Sequence, residues 1–203
     1  MSCSAPVSTM NNDGPFQTLW ENGNLRTRGC RRNGFLYGLY ERWYENGHRM
    51  ETLTWSDNGR MIGSYESWYG NGQAAQRCTI NEDDKNDGPF EEWYDNGQPK
   101  FKCTYVNGKR HGLCESWYEN GKHSVRSTYA NGRLDGLYES WYVNGQPEER
   151  YTYKGGKYNG LHESWHLNGQ HASRGVYING RRDGPFEVWN RDGQPVPERA
   201  TIA

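Results

Sequence analysis

A motif of alternating aromatic and polar residues recurs along the chain, in the form D-G-L-Y-E-S-W-Y-V-N-G over residues 135–145. Close copies occupy residues 112–121 and 160–169. Weaker copies begin at five other glycines: Gly14, Gly38, Gly63, Gly88 and Gly184. The tryptophans follow at steps of 23 to 25 residues: Trp20, Trp43, Trp68, Trp93, Trp117, Trp141, Trp165 and Trp189. A fixed step of this length is typical of a repeat array, whose units bury their faces only against their neighbours.

Each unit is predicted to contain two strands and two turns, because its aromatic and polar residues alternate with the period of a β-strand. An Asn-Gly pair follows the aromatic pair, as at Asn120-Gly121, and a second glycine turn follows about eleven residues later, as at Asn131-Gly132. Asn-Gly is a strong hairpin signal, because both turn residues adopt positive φ. We therefore predict an all-β fold: a single-layer, elongated, twisted antiparallel sheet of about eight tandem β-hairpins, solenoid-like.

The predicted array covers residues 13–195, because no change in composition interrupts it. Residues 1–12 are predicted to be a disordered N-terminal tail, and residues 196–203 a C-terminal tail. The 9 Trp and 15 Tyr residues supply the apolar area of a thin sheet, since each large ring buries about 150–250 Å².

The register follows from a two-residue turn at Asn120-Gly121, which places Glu115 opposite Arg126. The same rule gives four further pairs of opposite charge: Glu66 with Arg77, Glu91 with Lys102, Glu139 with Arg150, and Glu163 with Arg174. Each pair contributes about 0.2–1 kcal/mol, so the pairs fix the register more than they add stability. The Glu, Trp and Arg columns are expected to share one face, and Tyr columns the other.

A four-residue second loop would place Cys103 directly opposite Cys114, with their Cα atoms within disulfide range. A disulfide and two reduced thiols packed side by side both fit this arrangement. Cys78 lies one repeat before Cys103, about 10 Å away across an intervening strand, so these two should not bond. The count of five cysteines is odd, and would leave an even set if Cys3 were lipidated.

The segment Met1–Met10 places small and polar residues after Cys3, which resembles the mature start of a bacterial lipoprotein. The alternative is an unstructured tail with an incidental cysteine. The residues given do not predict a signal peptide or a transmembrane segment. We therefore expect a cytoplasmic protein as the chain stands, or a periplasmic lipoprotein if a signal was removed.

Residues 162–166 match H-E-x-x-H, the signature of zinc proteases. That signature requires a helix, whereas here the residues replace a strand of the repeat. Positions four apart on a strand are about 13 Å apart, too far to share a zinc ion. Serines recur at one repeat position rather than singly, so no nucleophile stands out. We therefore expect no enzymatic activity, no metal and no cofactor.

The pattern G-x-[YFH]-E-x-W-Y-x-N-G, followed by T-Y-x-N-G, resembles the MORN repeat, in particular the variant found in bacterial antitoxin-like and immunity-like proteins. The resemblance covers Gly14 to Gly193 and implies a binding protein. For the bacterial variant it implies an inhibitor of a toxin; for eukaryotic relatives, membrane or phosphoinositide contact and protein scaffolding. Cys114, His162 and His166 depart from the pattern's aromatic residues.

The third unit has a longer, acidic second turn, and an insertion of this kind is either a binding loop or a solvated loop. Balanced charge, with 24 Lys and Arg against 25 Asp and Glu, argues against a nucleic-acid partner. We expect a protein partner, a toxin or effector that is occluded. The alternative is a structural or membrane-proximal scaffold, with membrane contact only if Cys3 is lipidated. The candidate partner-binding residues are Glu82, Asp83, Asp84, Asp87, Trp93, Trp117, Trp141, Arg126 and Arg150.

Overall fold

The protein is described by a computed structural model over residues 13–197. Its regular elements there are fifteen β-strands of six to nine residues. All fifteen belong to one sheet, in which hydrogen-bonded neighbours follow the order of the chain. The predicted all-β, single-layer architecture of tandem hairpins is confirmed. The N-terminal tail with Cys3, and residues 198–203, lie outside the described residues.

The chain divides into two compact units. Unit 1 comprises the residues up to Pro99 together with Tyr105–Gly108, and unit 2 comprises Lys100–Thr104 and the residues from Lys109 on. The strands of unit 1 are β1 (Gly14–Leu19), β2 (Leu25–Arg32), β3 (Phe35–Trp43), β4 (Arg49–Trp55), β5 (Gly63–Trp68), β6 (Ala74–Ile80) and β7 (Asn86–Trp93). Strand β8 (Pro99–Val106) contributes residues to both units. The strands of unit 2 are β9 (Lys109–Trp117), β10 (His123–Ala130), β11 (Arg133–Trp141), β12 (Pro147–Lys154), β13 (Lys157–Trp165), β14 (His171–Ile178) and β15 (Arg181–Val188).

The first turn of each repeat differs from the expected one. Between β9 and β10, the Gly121 N–H donates to the Tyr118 carbonyl oxygen (2.9 Å), and the Tyr118 N–H donates to the Lys122 carbonyl oxygen (2.8 Å). Gly121 has a positive φ of 80°, but Asn120 does not. The expectation that both residues adopt positive φ is therefore wrong at this turn, and a register shift before Val125 absorbs the longer loop.

The Asn and Tyr side chains of the first turn instead link successive repeats. The Asn120 amide donates to the Val143 carbonyl oxygen (3.0 Å), and its Oδ1 accepts from the Lys122 N–H (3.1 Å). The Tyr118 hydroxyl donates to the Trp141 carbonyl oxygen (2.7 Å). Trp141 ends β11 and Val143 lies in the turn after it, so both acceptors belong to the following repeat. The W-Y-x-N-G motif is thus explained by contacts between repeats as much as by the turn itself.

Trp20 occupies the tyrosine position of the first repeat, not the tryptophan position. Its indole N–H donates to the Trp43 carbonyl oxygen (3.1 Å), as the Tyr44 hydroxyl does to Trp68 (2.9 Å). Leu19, paired with Leu25, stands where the other hairpins have tryptophan. The predicted tryptophan column therefore begins at Trp43 rather than at Trp20.

The second turn is a two-residue turn with positive φ at both positions. Asn131 and Gly132 have φ of 51° and 80°, and the flanking residues Ala130 and Arg133 pair directly. The expected four-residue loop is therefore wrong. A register shift between Ser127 and Tyr129 then gives the rest of the two strands the same residue pairing that a four-residue loop would have produced. The Asn-Gly conformation expected for the first turn is found in the second.

The core is a shallow row on one face of the sheet. We call this face the Tyr face; in each unit it carries the residue that precedes the repeated glutamate, together with that residue's partner on the paired strand. Pairs in this row are Tyr40 with Leu53, Tyr65 with Cys78, Cys114 with Ser127, Tyr138 with Tyr151, and His162 with Gly175. The most buried side chains of the described residues lie mainly in this row, including Leu53, Cys78, Cys114 and Ser127. In most of these pairs one residue is small, and the rings of neighbouring residues cover that small residue.

In unit 2 the Tyr face is a continuous aromatic cluster. The Tyr151 ring stacks on Tyr158 at 4.8 Å and on His162 at 4.5 Å, and Tyr153 contacts Tyr158 at 4.8 Å. Burial, with the nearby Glu149 carboxylate, raises the pKa of the Tyr151 hydroxyl well above its usual range. Burial likewise raises the pKa of Tyr153. These tyrosines therefore remain neutral and act as packing groups.

Candidate protein-binding face

The opposite face of the sheet, which we call the Trp face, carries the Glu, Arg and Trp rows in each unit. Four of the five predicted ion pairs face one another in the structure: Glu115 with Arg126, Glu66 with Arg77, Glu139 with Arg150, and Glu163 with Arg174. Glu91 with Lys102 stays a prediction. The register of the hairpin strands away from their turns was therefore predicted correctly from charge pairing, although the conformation of the turns was not.

The pairing continues between hairpins in unit 2. Arg126 faces Glu139 as well as Glu115, and Arg150 faces Glu163 as well as Glu139. The resulting ladder alternates in charge across β9 to β15. The Arg150 guanidinium lies 2.9 Å from a Glu139 oxygen and 3.8 Å from a Glu163 oxygen. One arginine therefore connects two successive repeats.

The two charges of this ladder differ in exposure. The side chains of Arg126 and Arg150 are 50% and 49% exposed, whereas those of Glu139 and Glu163 are each 13% exposed. The carboxylates therefore lie beneath the arginines, and the guanidinium groups form the outer surface. Ion pairs exposed to this degree add about 0–1 kcal/mol each to stability, so stability alone does not account for the row.

Unit 1 interrupts the ladder at Thr52, which occupies an arginine position opposite both Glu41 and Glu66. Glu41 is buried at 4% exposure and pairs instead with Arg28 (2.6 Å) and Arg49 (3.1 Å). The Thr52 hydroxyl oxygen is buried without a hydrogen-bond partner among the described residues. The regular ladder of exposed arginines is thus a feature of unit 2.

The tryptophan row borders the ladder. In unit 2 the His123 ring lies between Trp117 and Trp141, with centroid distances of 5.2 and 5.6 Å. In unit 1 the Arg77 guanidinium lies 5.8 Å from the centre of the Trp93 ring. All three tryptophans are partly exposed. The candidate tryptophans therefore have two roles, packing against neighbours and presenting ring surface to solvent.

A row of leucines on the Trp face was not singled out in the sequence. Leu113, Leu137 and Leu161 are 43%, 43% and 37% exposed, and they lie two residues before the glutamates of the ladder. Their partners across the hairpins are Thr128, Thr152 and Val176. Strand alternation could have found this row, since Leu113 must share a face with Glu115 and Trp117. We call the leucine, arginine and tryptophan rows of unit 2 the Arg–Leu surface.

The acidic loop contains residues of two kinds. Asp84 adopts a positive φ of 60°, and its N–H donates to the Asn81 carbonyl oxygen (3.0 Å), so it shapes the turn. Asp87 accepts a hydrogen bond from the Asn107 N–H (3.3 Å). Glu82 and Asp83 are exposed and line a cleft of about 430 Å³. Of the four predicted loop residues, these two line this cleft.

The H-E-x-x-H residues take different partners. His162 lies on β13 and stacks on Phe186 at 5.5 Å, whereas the His166 Nε2 atom bonds to the Trp189 carbonyl oxygen at 2.9 Å. His162 is 7% exposed, and its Nδ1 has no hydrogen-bond partner among the described residues. The motif is part of a strand and serves packing between repeats. In the described part of the chain, no cluster of three or more His, Cys, Asp or Glu is placed to hold a metal ion.

We expect the stability of the protein to fall in mild acid because of His162. Burial lowers the pKa of His162, with a smaller effect of Arg182 in the same direction and an opposing effect of Glu163. The contribution of the neutral His162 ring to the free energy of unfolding is complete above the pKa of histidine in the unfolded chain, about 6.5. It is lost as pH falls from there toward the lowered folded pKa, because the unfolded chain binds the proton first. In urea unfolding at pH 7.5 and 5.0, H162F should lose less stability than the wild type.

The matched control is H111F, because His111 is exposed. That variant should keep the wild-type pH dependence. Equal pH dependence of H162F and the wild type would show that His162 does not contribute to acid sensitivity.

The structure joins Cys103 and Cys114 by a disulfide, with Cα atoms 4.2 Å apart. Cys78 is free and buried. Burial raises the pKa of the Cys78 thiol, and a hydrogen bond from Gln76 opposes this shift. Cys78 is therefore a packing residue with little thiolate character at neutral pH.

Four segments of the chain match a family model described as the MORN repeat variant: residues 36–57, 86–107, 110–131 and 134–154. A search of curated proteins gave no match. Within residues 13–197 there is no helix long and apolar enough to cross a membrane. MORN repeats generally bind proteins or membranes and serve as non-catalytic scaffolds. The four matched segments coincide with hairpins of the sheet, so these hairpins are repeats of the MORN variant type.

Proposed function

We propose that this protein is a non-catalytic immunity or antitoxin factor, which binds a toxin or effector protein and blocks it by occlusion. The observation that carries the proposal is the Arg–Leu surface of unit 2. Half-exposed Arg126 and Arg150 lie between the exposed leucines and the tryptophan row. Arginine and tryptophan are enriched where protein interfaces concentrate their binding energy.

The chemistry of the Arg–Leu surface favours a binding partner that is a protein with acidic residues around an apolar patch. The carboxylates of Glu139 and Glu163 lie beneath the arginines, so a partner's carboxylates can reach the guanidinium groups from solvent. Charge pairs of this kind speed association and fix orientation, while the apolar rows contribute burial. Glu82 and Asp83 of unit 1 offer a second candidate contact of opposite charge.

The proposal is tested by co-expressing this protein with the product of each neighbouring gene that is toxic on its own. We expect one such product to be neutralised and to co-purify with the wild type. The double variant R126E/R150E should weaken binding at least tenfold by calorimetry and should abolish protection, because reversed charges repel the partner. E82K/D83K tests the acidic loop separately.

R181E is the matched control, because Arg181 is an exposed arginine of unit 2 next to a second turn. This variant should bind like the wild type. Neutralisation of no neighbouring toxic product would contradict the immunity role. Unchanged binding of R126E/R150E would remove the Arg–Leu surface from the interface.

The alternative, a membrane-proximal scaffold, is tested by co-sedimentation with vesicles of phosphatidylglycerol and phosphatidylethanolamine. The near-balanced charge of the chain predicts little electrostatic attraction to these vesicles. Salt-sensitive sedimentation with the vesicles would favour the scaffold role over the immunity role.

A further inference from the structure

We infer that the Tyr face of unit 1 carries a groove that binds an extended peptide segment, acidic at one end and apolar at the other. Two cavities form the groove, one of about 550 Å³ and one of about 330 Å³. They share Leu36, Tyr40 and Arg42 as lining residues and are therefore adjacent. The groove lies on the opposite face from the Glu, Arg and Trp rows.

The smaller cavity is the basic end. Arg26 and Arg31 line it, and within residues 13–197 neither forms an ion pair. Both are held against rings, Arg26 at 4.6 Å from the centre of Trp20 and Arg31 at 5.0 Å from that of Phe16. A guanidinium group that stacks on a ring keeps its N–H bonds in its own plane, parallel to the ring. There they can bind a carboxylate with two parallel hydrogen bonds.

The larger cavity is the apolar end. Leu53, Trp55, Met61, Tyr65 and Ile80 contribute to its lining. Strands β4 and β5 pair at only two positions, and an isolated bridge between Trp55 and Met61 follows. The sheet is irregular at this point. The irregularity produces a cavity with buried Leu53 in its lining, where the Tyr face of a regular hairpin would be shallow.

The positive charge of the groove is confined to one end. Arg42, between the two cavities, is paired with Glu51 at 3.0 Å. The arginines without an ion pair therefore lie on the β2 side, where Arg31 also donates to the Gly34 carbonyl oxygen (3.3 Å), and the β4 to β6 side is lined largely by apolar groups. This polarity fixes the direction of the ligand, with its acidic residues over β2 and its apolar residues over β4 to β6.

The length of the groove favours a peptide over a compact ligand. Its lining residues lie on every strand from β1 to β7. Strands are about 4.8 Å apart, so six spacings extend about 29 Å. An extended chain at about 3.3 Å per residue covers this distance with about nine residues. A linear acidic segment of a protein fits this length and charge, and the inference does not depend on the partner of the Arg–Leu surface.

The test uses a fluorescein-labelled nonapeptide of three glutamates, a glycine, and then alternating leucine, threonine and phenylalanine. Binding to the full chain is followed by fluorescence anisotropy. We expect saturable binding that R26Q/R31Q weakens about tenfold or more, because two charge-assisted contacts are lost. A peptide with glutamine in place of glutamate should bind the wild type more weakly by the same factor.

R133Q/R181Q is the matched control, since it removes two exposed arginines of unit 2 that lie next to second turns and should leave peptide binding unchanged. Equal binding to the wild type and R26Q/R31Q would overturn the inference, as would equal binding of the glutamate and glutamine peptides. Full displacement by sodium dodecanoate at comparable concentration would overturn it in favour of a lipid-like ligand. None of these outcomes depends on toxin neutralisation, so the two proposals fail separately.

Discussion

G175A is expected to destabilise unit 2 by about 1–3 kcal/mol, the usual effect of overpacking a filled site. Gly175 lies on β14 between His162 on β13 and Phe186 on β15, and it pairs with both. The two rings stack across it, with centroids 5.5 Å apart and planes within 8°. A methyl group on Gly175 would overlap Cδ2 of Phe186. The effect is steric, because Gly175 is not in the left-handed region of φ.

The measurement is urea unfolding followed by circular dichroism, with amide hydrogen exchange of β14 and β15 to localise the effect. The matched control is G70A: Gly70 also lacks a positive φ, and a methyl group there would meet no atom within 4 Å. That variant should change stability by about 0.5 kcal/mol or less, or raise it slightly. Equal stability of G175A and G70A would contradict the account of the aromatic row.

Removal of the Cys103–Cys114 disulfide is expected to lower the free energy of unfolding by about 3 kcal/mol, because the bond no longer restricts the entropy of the unfolded chain within a short loop. The two cysteines are 11 residues apart and both are buried. The cross-link constrains the unfolded chain between β8 and β9. C103S/C114S should therefore unfold at lower urea concentration than the wild type, and the wild type in reductant should approach the variant. C78S is the control for loss of a buried sulfur without loss of a cross-link.

Peptide mapping shows directly whether the bond forms in solution. Trypsin cleaves after Lys102, Lys109, Arg110 and Lys122, which places the two cysteines on separate peptides. A linked pair that separates on reduction is the expected result. Recovery of both peptides alkylated without prior reduction would show two thiols in the purified protein. Equal stability of the wild type with and without reductant would contradict the stabilising role.

The strand register could be predicted because opposite charges recur at a fixed offset. Glu115 with Arg126 and Glu139 with Arg150 require one pairing, and a shift of one residue would turn every side chain to the other face. The turns could not be predicted as well, since Asn-Gly fits both turn types. Asn120 does not adopt positive φ, and its side chain binds the next repeat, whereas Asn131 adopts positive φ in a two-residue turn.

The candidate site was predicted only in part. Arg126 and Arg150 were found because they recur in the repeat. Leu113 was overlooked, although strand alternation places it on the face of Glu115 and Trp117; only its exposure required the folded sheet. The groove of unit 1 had no signal in the sequence. It arises where β4 and β5, joined by a longer turn than the other second turns, pair at only two positions.

The sequence by itself determined the repeat, the all-β class, the side-chain faces and the distal register, because each follows from periodicity and charge within one repeat. Only the tertiary structure decided which turn adopts which conformation, that Trp20 stands in for a tyrosine, and that Thr52 breaks the ladder. It also decided which arginines remain unpaired. The position of Trp20 and the contacts of the first turn depend on hydrogen bonds between residues 23 positions apart. The break at Thr52 depends on strand pairing with Glu41 and Glu66. A single repeat does not contain that information.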